Sequence, residues 1–264
     1  MRFTKMQGLG NDYLYVYGDV PENVADVSRR LSDRHFGAGS DGMIFIGPSK
    51  RADFEMRIFN ADGSEAMMCG NGIRCVGKFV YDKGYTDKTR LTVGTLSGIK
   101  TLELFAVAGK VRRVSVGMGK VEVSHDVTLD VPGGQVVCTP VSVGNPHAVI
   151  FVPDAGAAPV DVTGPALERH PSFPGGVNVE FVGIVAPNEL RMRVWERGSG
   201  ITMACGTGAC ASAAAAVKKR LCDYDKPICV GLDGGALGIT VSRDFTVTMT
   251  GPAETVYEGE TDIC

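Results

Sequence analysis

The chain contains a stretch of itself twice, and that repeat restricts its fold more than any other feature. Glu55-Met56-Arg57-Ile58-Phe59-Asn60 is matched by Arg191-Met192-Arg193-Val194-Trp195-Glu196, and Met67-Met68-Cys69-Gly70-Asn71-Gly72 by Met203-Ala204-Cys205-Gly206-Thr207-Gly208, both 136 positions later (69 to 205). The same offset carries Leu31 onto Leu167, and an offset of 134 carries Gly10-Asn11 onto Gly144-Asn145. A duplicated segment with its own hydrophobic pattern builds the same supersecondary unit twice.

Each copy opens with alternating apolar and polar residues, the mark of a strand: Phe54, Met56 and Ile58 in one, Met192 and Val194 in the other. A glycine-containing loop follows, then a helix, with a cysteine at the turn into it. The first helix runs from about Gly72 and stops near Lys83-Gly84, a basic residue before a C-terminal glycine. The second holds the Ala213–Ala216 run and ends in Lys218-Lys219-Arg220, cations where the helix dipole favours them. Short Val/Ile/Thr strands broken by Gly and Pro fill the rest. The expected fold class is α+β: two pseudo-symmetric domains, each with β-strands wrapped around a central helix. The halves are expected at 1–113, completed by 252–264, and at 114–251, with a linker near Val111 to Gly119 and the active site in the cleft between them.

With 264 residues and 44% hydrophobic content the chain buries a substantial core. A net charge of −3 leaves no basic stripe to track phosphates, which argues against nucleic-acid or membrane-surface binding and for a small-molecule partner. The opening residues lack a long apolar stretch, and the run Ala213–Val217 is too short to span a bilayer, so the expected location is cytoplasmic. Eight cysteines at 69, 75, 138, 205, 210, 222, 229 and 264 are scattered rather than paired as Cys-x-x-Cys, and there are four histidines. That pattern reads as reduced thiols, with no metal site.

A thiol at a helix N-terminus meets backbone N–H groups and the positive end of the dipole, which favour thiolate and make Cys69 and Cys205 usable bases. The neighbouring glycines let a ligand approach the backbone, and such helix starts attract a carboxylate. If the two copies face each other, two thiols flank one bound anion: one removes a proton from carbon, the other returns one to the opposite face, with no electron-sink cofactor. Cys75, Cys138, Cys210, Cys222, Cys229 and Cys264 read as small buried apolar residues. A nucleophilic cysteine hydrolase would use one cysteine with a dedicated His and leaves the second copy unexplained. A thiol-rich binding or redox module is the other class of reading.

These residues strongly resemble the diaminopimelate epimerase family, whose two catalytic cysteines stand in such Cys-Gly-Asn-Gly and Ala-Cys-Gly-[Ser/Thr]-Gly contexts. The resemblance extends over Lys5-Met6-x-Gly8-Leu9-Gly10-Asn11-Asp12-Tyr13, Asn60-Ala61-Asp62-Gly63-Ser64, Gly144-Asn145-Pro146-His147, Val177-Asn178-Val179, Glu196-Arg197-Gly198 and Gly251-Pro252-Ala253-Glu254. It implies a cofactor-independent enzyme that interconverts L,L- and meso-diaminopimelate on the route to lysine and peptidoglycan, closes over its substrate and forms a homodimer. It assigns Asn11, Asn60, Asn145, Asn178, Glu196 and Arg197 to the substrate, and Gly70, Asn71, Gly206 and Thr207 to its reacting carboxylate through N–H groups. An Arg for a distal carboxylate and amide oxygens for an ammonium suit such a substrate. His147 and Glu196 match the family's residues that tune the thiols, and the L,L-to-meso direction is implied to use Cys205 as base and Cys69 as acid. The chain departs from the family at Gly42, where Gln is frequent, leaving one substrate contact unassigned.

Overall fold

The computed structural model of the chain describes residues 1–263. Two compact units divide it: Met1–Gly117 with Gly251–Cys264, and Met118–Thr250.

The first unit is built from β1 (Arg2–Gly8), β2 (Asn11–Tyr17), α1 (Val24–Ser32), β3 (Gly42–Pro48), β4 (Phe54–Asn60), β5 (Glu65–Ala66), α2 (Gly70–Asp82), β6 (Arg90–Thr95), β7 (Gly98–Val107) and β8 (Lys110–Lys120). The second holds β9 (Glu122–Val123), β10 (Val127–Val131), β11 (Gly134–Ser142), β12 (Pro146–Phe151), α3 (Val160–Glu168), β13 (Asn178–Ala186), β14 (Glu189–Glu196), β15 (Gly200–Ile201), α4 (Gly206–Lys218), β16 (Pro227–Leu232), β17 (Gly235–Val241) and β18 (Thr246–Pro252). The chain then returns to the first unit as β19 (Glu254–Glu260). Val111 to Gly119, where the sequence places a linker, lies within β8, and Val111, Val114, Val116 and Met118 along it are buried.

The repeat extends to strand pairing. In the first unit β1 runs antiparallel to β2, β2 parallel to β3, β3 antiparallel to β4, β4 parallel to β6 and β6 antiparallel to β7. In the second, β11, β12, β13, β14, β16 and β17 pair in the same order and directions. The parallel pairs need crossovers, and α1, α2, α3 and α4 supply them. Register is also kept: Leu14 lies opposite Met43, and their counterparts Ala148 and Val179 lie opposite each other.

Side chains alternate between the two faces of a strand, and that alternation sorts the core. On β2, Leu14 and Val16 join Val27 and Leu31 of α1 in one hydrophobic layer. Tyr15 points the other way, its hydroxyl donating to the Gly72 carbonyl of α2 at 3.2 Å and its ring stacking on Phe79. On β12, Ala148 and Ile150 pack with Val160 and Leu167 of α3. The inner helices are enclosed: α2 is buried from Gly70 to Val80, and α4 from Gly208 to Val217. A helix enclosed on all sides must be apolar all round, which explains the alanines at 209, 211 and 213–216 of α4.

α2 nevertheless buries two cationic side chains and pairs both. The Arg74 guanidinium donates to the carbonyls of Pro252 and Gly70. Lys78 donates to Asp82 at 2.6 Å and to the Val111 carbonyl at 2.8 Å, while Asp82 accepts the Val111 N–H at 2.9 Å, clamping the helix onto β8. Asp82→Ala would strand a buried ammonium, and the expected loss is about 3–5 kcal/mol of unfolding free energy. Denaturant titration measures it; a loss below about 1 kcal/mol, the range of exposed ion pairs, would show the clamp is not formed.

Candidate active site

Cys69 and Cys205 are the N-cap residues of α2 and α4. Both have extended backbones, φ −133° and ψ 118° for Cys69, φ −117° and ψ 110° for Cys205. Each sulfur accepts the N–H of the residue three positions on, Gly72 or Gly208, at 3.3 Å. Ser, Thr, Asp or Asn ordinarily does this work. A thiol in that role is held over the helix start, where the first-turn N–H groups of positions 70–71 and 206–207 precede any intrahelical acceptor. That environment suits an anionic ligand beside each sulfur.

Around Cys69 the strands supply amide and carboxylate groups. The Cys69 thiol donates to Asn11 Oδ1 at 3.3 Å. The Asn11 amide is turned that way because its Nδ2 donates to Asp41 Oδ2 at 2.8 Å, an oxygen that also accepts the Asp12 N–H at 3.0 Å. Arg34 bridges Asp12 and Asp41 at 3.0 Å each, and Lys5 lies 2.8 Å from Asp12. Burial works against ionisation of Asp12, but hydrogen bonds from Arg34 and Lys5 outweigh it and hold the carboxyl below its ordinary range. Asn60 is used differently: its Nδ2 donates to Ser64 Oγ at 3.0 Å and closes its own turn.

Around Cys205 the polar chain is longer. Thr207 Oγ1 lies 3.5 Å from the sulfur and accepts Asn145 Nδ2 at 3.3 Å. Asn145 Oδ1 faces His147 Nε2 at 3.1 Å, and His147 Nδ1 meets Glu180 Oε1 at 2.6 Å, with both side chains fully buried. Each imidazole nitrogen thus faces a side-chain oxygen, which fixes the orientation of the ring. Glu196 accepts a hydrogen bond from the Thr202 hydroxyl. The Asn178 amide is spent on backbone, donating to the Pro146 carbonyl and accepting the Arg197 N–H, both at 3.0 Å. The exposed Arg197 guanidinium donates to the Gly175 carbonyl at 2.9 Å.

One expectation changes. A helix start was expected to lower both thiols, yet burial, reinforced by Glu196 and Glu180, pushes Cys205 well above the usual thiol range, against opposing bonds from Thr207 and the Gly208 N–H. Burial likewise raises Glu196. The glycines at 72 and 208 also answer to the protein's own packing: a Cβ there would lie 2.7 Å from Ile44 Cδ1 or from Glu180 Oε1. Gly42 is also fixed by packing, since a Cβ would fall 2.2 Å from the Phe59 carbonyl oxygen.

Sequence reasoning missed Asp41 and Glu180. The signal for Glu180 was available: one acid inside Val177-Asn178-Val179-Glu180-Phe181-Val182, a run that reads as buried strand. Among the described residues, no three His, Cys, Asp or Glu side chains are grouped to hold a metal ion, and no helix is long and apolar enough to cross a membrane.

The duplicated α+β fold, each unit wrapped around an enclosed helix, is shared with solved structures of other proteins. A probable proline racemase from Agrobacterium radiobacter superposes with a TM-score of 0.78 at 18% identity, covering 100% of this chain and 93% of that one. A Bacillus anthracis phenazine biosynthesis protein of the PhzF family gives 0.78 at 15% identity, covering 99% and 98%. Sequence narrows this further: the chain belongs to the diaminopimelate epimerase family, whose profile matches residues 3–124 and 139–256. Diaminopimelate epimerases of Acetivibrio thermocellus and Phocaeicola vulgatus are 48% and 50% identical to it, each over 100% of this chain and 99% of their own. That of Methanococcus maripaludis is 49% identical over the whole of both chains. The chain is therefore an epimerase.

Proposed function

We propose that the enzyme interconverts L,L- and meso-diaminopimelate with Cys69 and Cys205 as the paired acid and base, without pyridoxal phosphate. The observation that carries this reading is the repeated cap: two thiols, each fixed over first-turn N–H groups that favour a carboxylate. Those donors, from Gly70, Asn71, Gly206 and Thr207, stabilise the charge that develops as the α-proton leaves.

The surroundings support different tasks for the two thiols. Cys69 donates to Asn11 Oδ1, a contact that favours the thiol form an acid needs. Cys205, pushed upward beside two carboxylates, is the stronger base once ionised. We therefore assign Cys205 as base and Cys69 as acid for the L,L-to-meso direction, with roles exchanged in reverse. His147 and Glu196 tune Cys205. Asn11, Asn60, Asn145, Asn178, Glu196 and Arg197 hold the substrate, Arg197 at the distal carboxylate. The reading includes a cytoplasmic homodimer supplying lysine and peptidoglycan synthesis.

The test is an assay with stereochemically pure isomers. Purified protein without added metal or pyridoxal phosphate is expected to bring L,L- and meso-diaminopimelate to the same mixture from either side. Failure on both isomers by folded, reduced protein would remove this substrate assignment.

A further inference from the structure

The two half-sites agree in backbone and differ in chemistry at two matched positions. On β2 the residue two beyond Asn11 is Tyr13; on β12 the residue two beyond Asn145 is His147. Residues two apart share a strand face, so Tyr13 stands beside Asn11 as His147 stands beside Asn145. The strand alongside repeats the match: Ile44 of β3 fills the space against Gly72, and Glu180 of β13 fills it against Gly208. One thiol thus has a phenol over an aliphatic side chain; the other has an imidazole over a carboxylate.

Tyr13 stands on the β2 face between Asn11, whose Oδ1 accepts from the Cys69 thiol at 3.3 Å, and Tyr15, whose hydroxyl reaches the Gly72 carbonyl at 3.2 Å, so its side chain lies against the start of α2 where Cys69 caps the helix. Tyr13 is 5% exposed, so water does not compete strongly for its hydroxyl.

We propose that Tyr13 is a positioning residue for Cys69, its O–H donating to the thiolate that remains once Cys69 has given up its proton. Asn11 Oδ1 accepts from the protonated thiol and Tyr13 donates to the ionised one, so each state of Cys69 has a partner. Burial, followed by the nearby Cys69, drives the phenol far above its usual range, so Tyr13 stays neutral and keeps its proton throughout. It stabilises a charge without titrating. Other ionisable groups near Cys69 are Tyr15 on β2, Asp41 ahead of β3, and Arg74 and Cys75 on α2; Asp12, Lys5 and Arg34 lie behind Asp41. Among them, Tyr15 spends its hydroxyl on the Gly72 carbonyl, and Asp41 is a further negative charge.

This inference rests on the reading of Cys69 as an acid–base thiol, and its test uses a separate readout. Tyr13→Phe removes one oxygen and keeps the ring. Alkylation of Cys69 by iodoacetamide, followed against pH by peptide mapping, is expected to shift its midpoint upward by about one unit, the size of one hydrogen bond to a charged group. Turnover should fall about tenfold with KM within about twofold, because the bond is made to a charge formed during reaction. Tyr15→Phe is the control and should leave the midpoint in place. Placing 3,5-difluorotyrosine at position 13, a stronger donor of nearly the same shape, should move the midpoint downward. An unchanged midpoint in Tyr13→Phe, or an equal shift in Tyr15→Phe, overturns the proposal while the two-thiol mechanism stands. Persistent epimerisation by Cys69→Ala would instead strike the mechanism itself.

Discussion

Cys69→Ala and Cys205→Ala each leave a folded protein whose epimerisation falls by about 10²–10⁴-fold, the usual worth of a general acid or base. The fold is expected to survive because an N-cap contributes only about 1 kcal/mol, against about 5–15 kcal/mol for a whole domain. The lost thiol leaves Gly72 or Gly208 N–H without its acceptor, so a lowered melting temperature accompanies the loss of turnover. Two thiols acting on one proton transfer form a unit, so the double variant should be little worse than the poorer single one. Circular dichroism together with isomer-resolved chromatography checks both halves of the expectation. A folded single variant with near-normal turnover would end the acid–base assignment for that residue.

Reaction in heavy water gives the second large effect. Early product is expected to carry deuterium at the α-carbon, and unreacted substrate to carry almost none. The acid that reprotonates the carbanion has exchanged with solvent before the encounter, whereas the base can return the proton it has just taken. A single base serving both faces would draw on one pool and label both isomers alike. Burial of Cys205, 5% exposed, favours the unequal outcome because it slows exchange of the captured proton. Equal labelling from the first turnovers, with quenched-flow samples showing no slow exchange step, would count against separate acid and base.

The helices, the cysteines at their starts and the strands ahead of them were legible because the signal is local: a periodicity, a cap, a glycine. α2 ends at Asp82 with Lys83 as its cap and Gly84 at φ +78°, where the pattern puts the stop. In the second copy Arg220 takes that left-handed position at φ +59°, which no composition rule for a C-terminal glycine would select. What remained illegible depends on register between strands far apart in sequence. His147 finds Glu180 only because β12 and β13 run parallel with Val149 opposite Glu180, and Asn11 is aimed by an aspartate 30 positions on. Thiol ionisation was misjudged at Cys205 for the same reason: the helix start is visible in sequence, but the burial and two carboxylates that outweigh it come from tertiary structure.

The division of the chain also sets an order of events during synthesis. Residues 118–250 form one continuous unit, whereas the first unit needs β19, at 254–260, to pair with β1. On the ribosome, where domains fold as units while the chain emerges, the second unit has all of its residues before the first is complete. Until translation passes residue 260, the outer edge of β1 from Arg2 to Gln7 offers unpaired N–H and C=O groups to any neighbouring strand. Nascent chains stalled between those points are therefore the species most prone to edge-to-edge association, and the ones a chaperone would have most reason to cover.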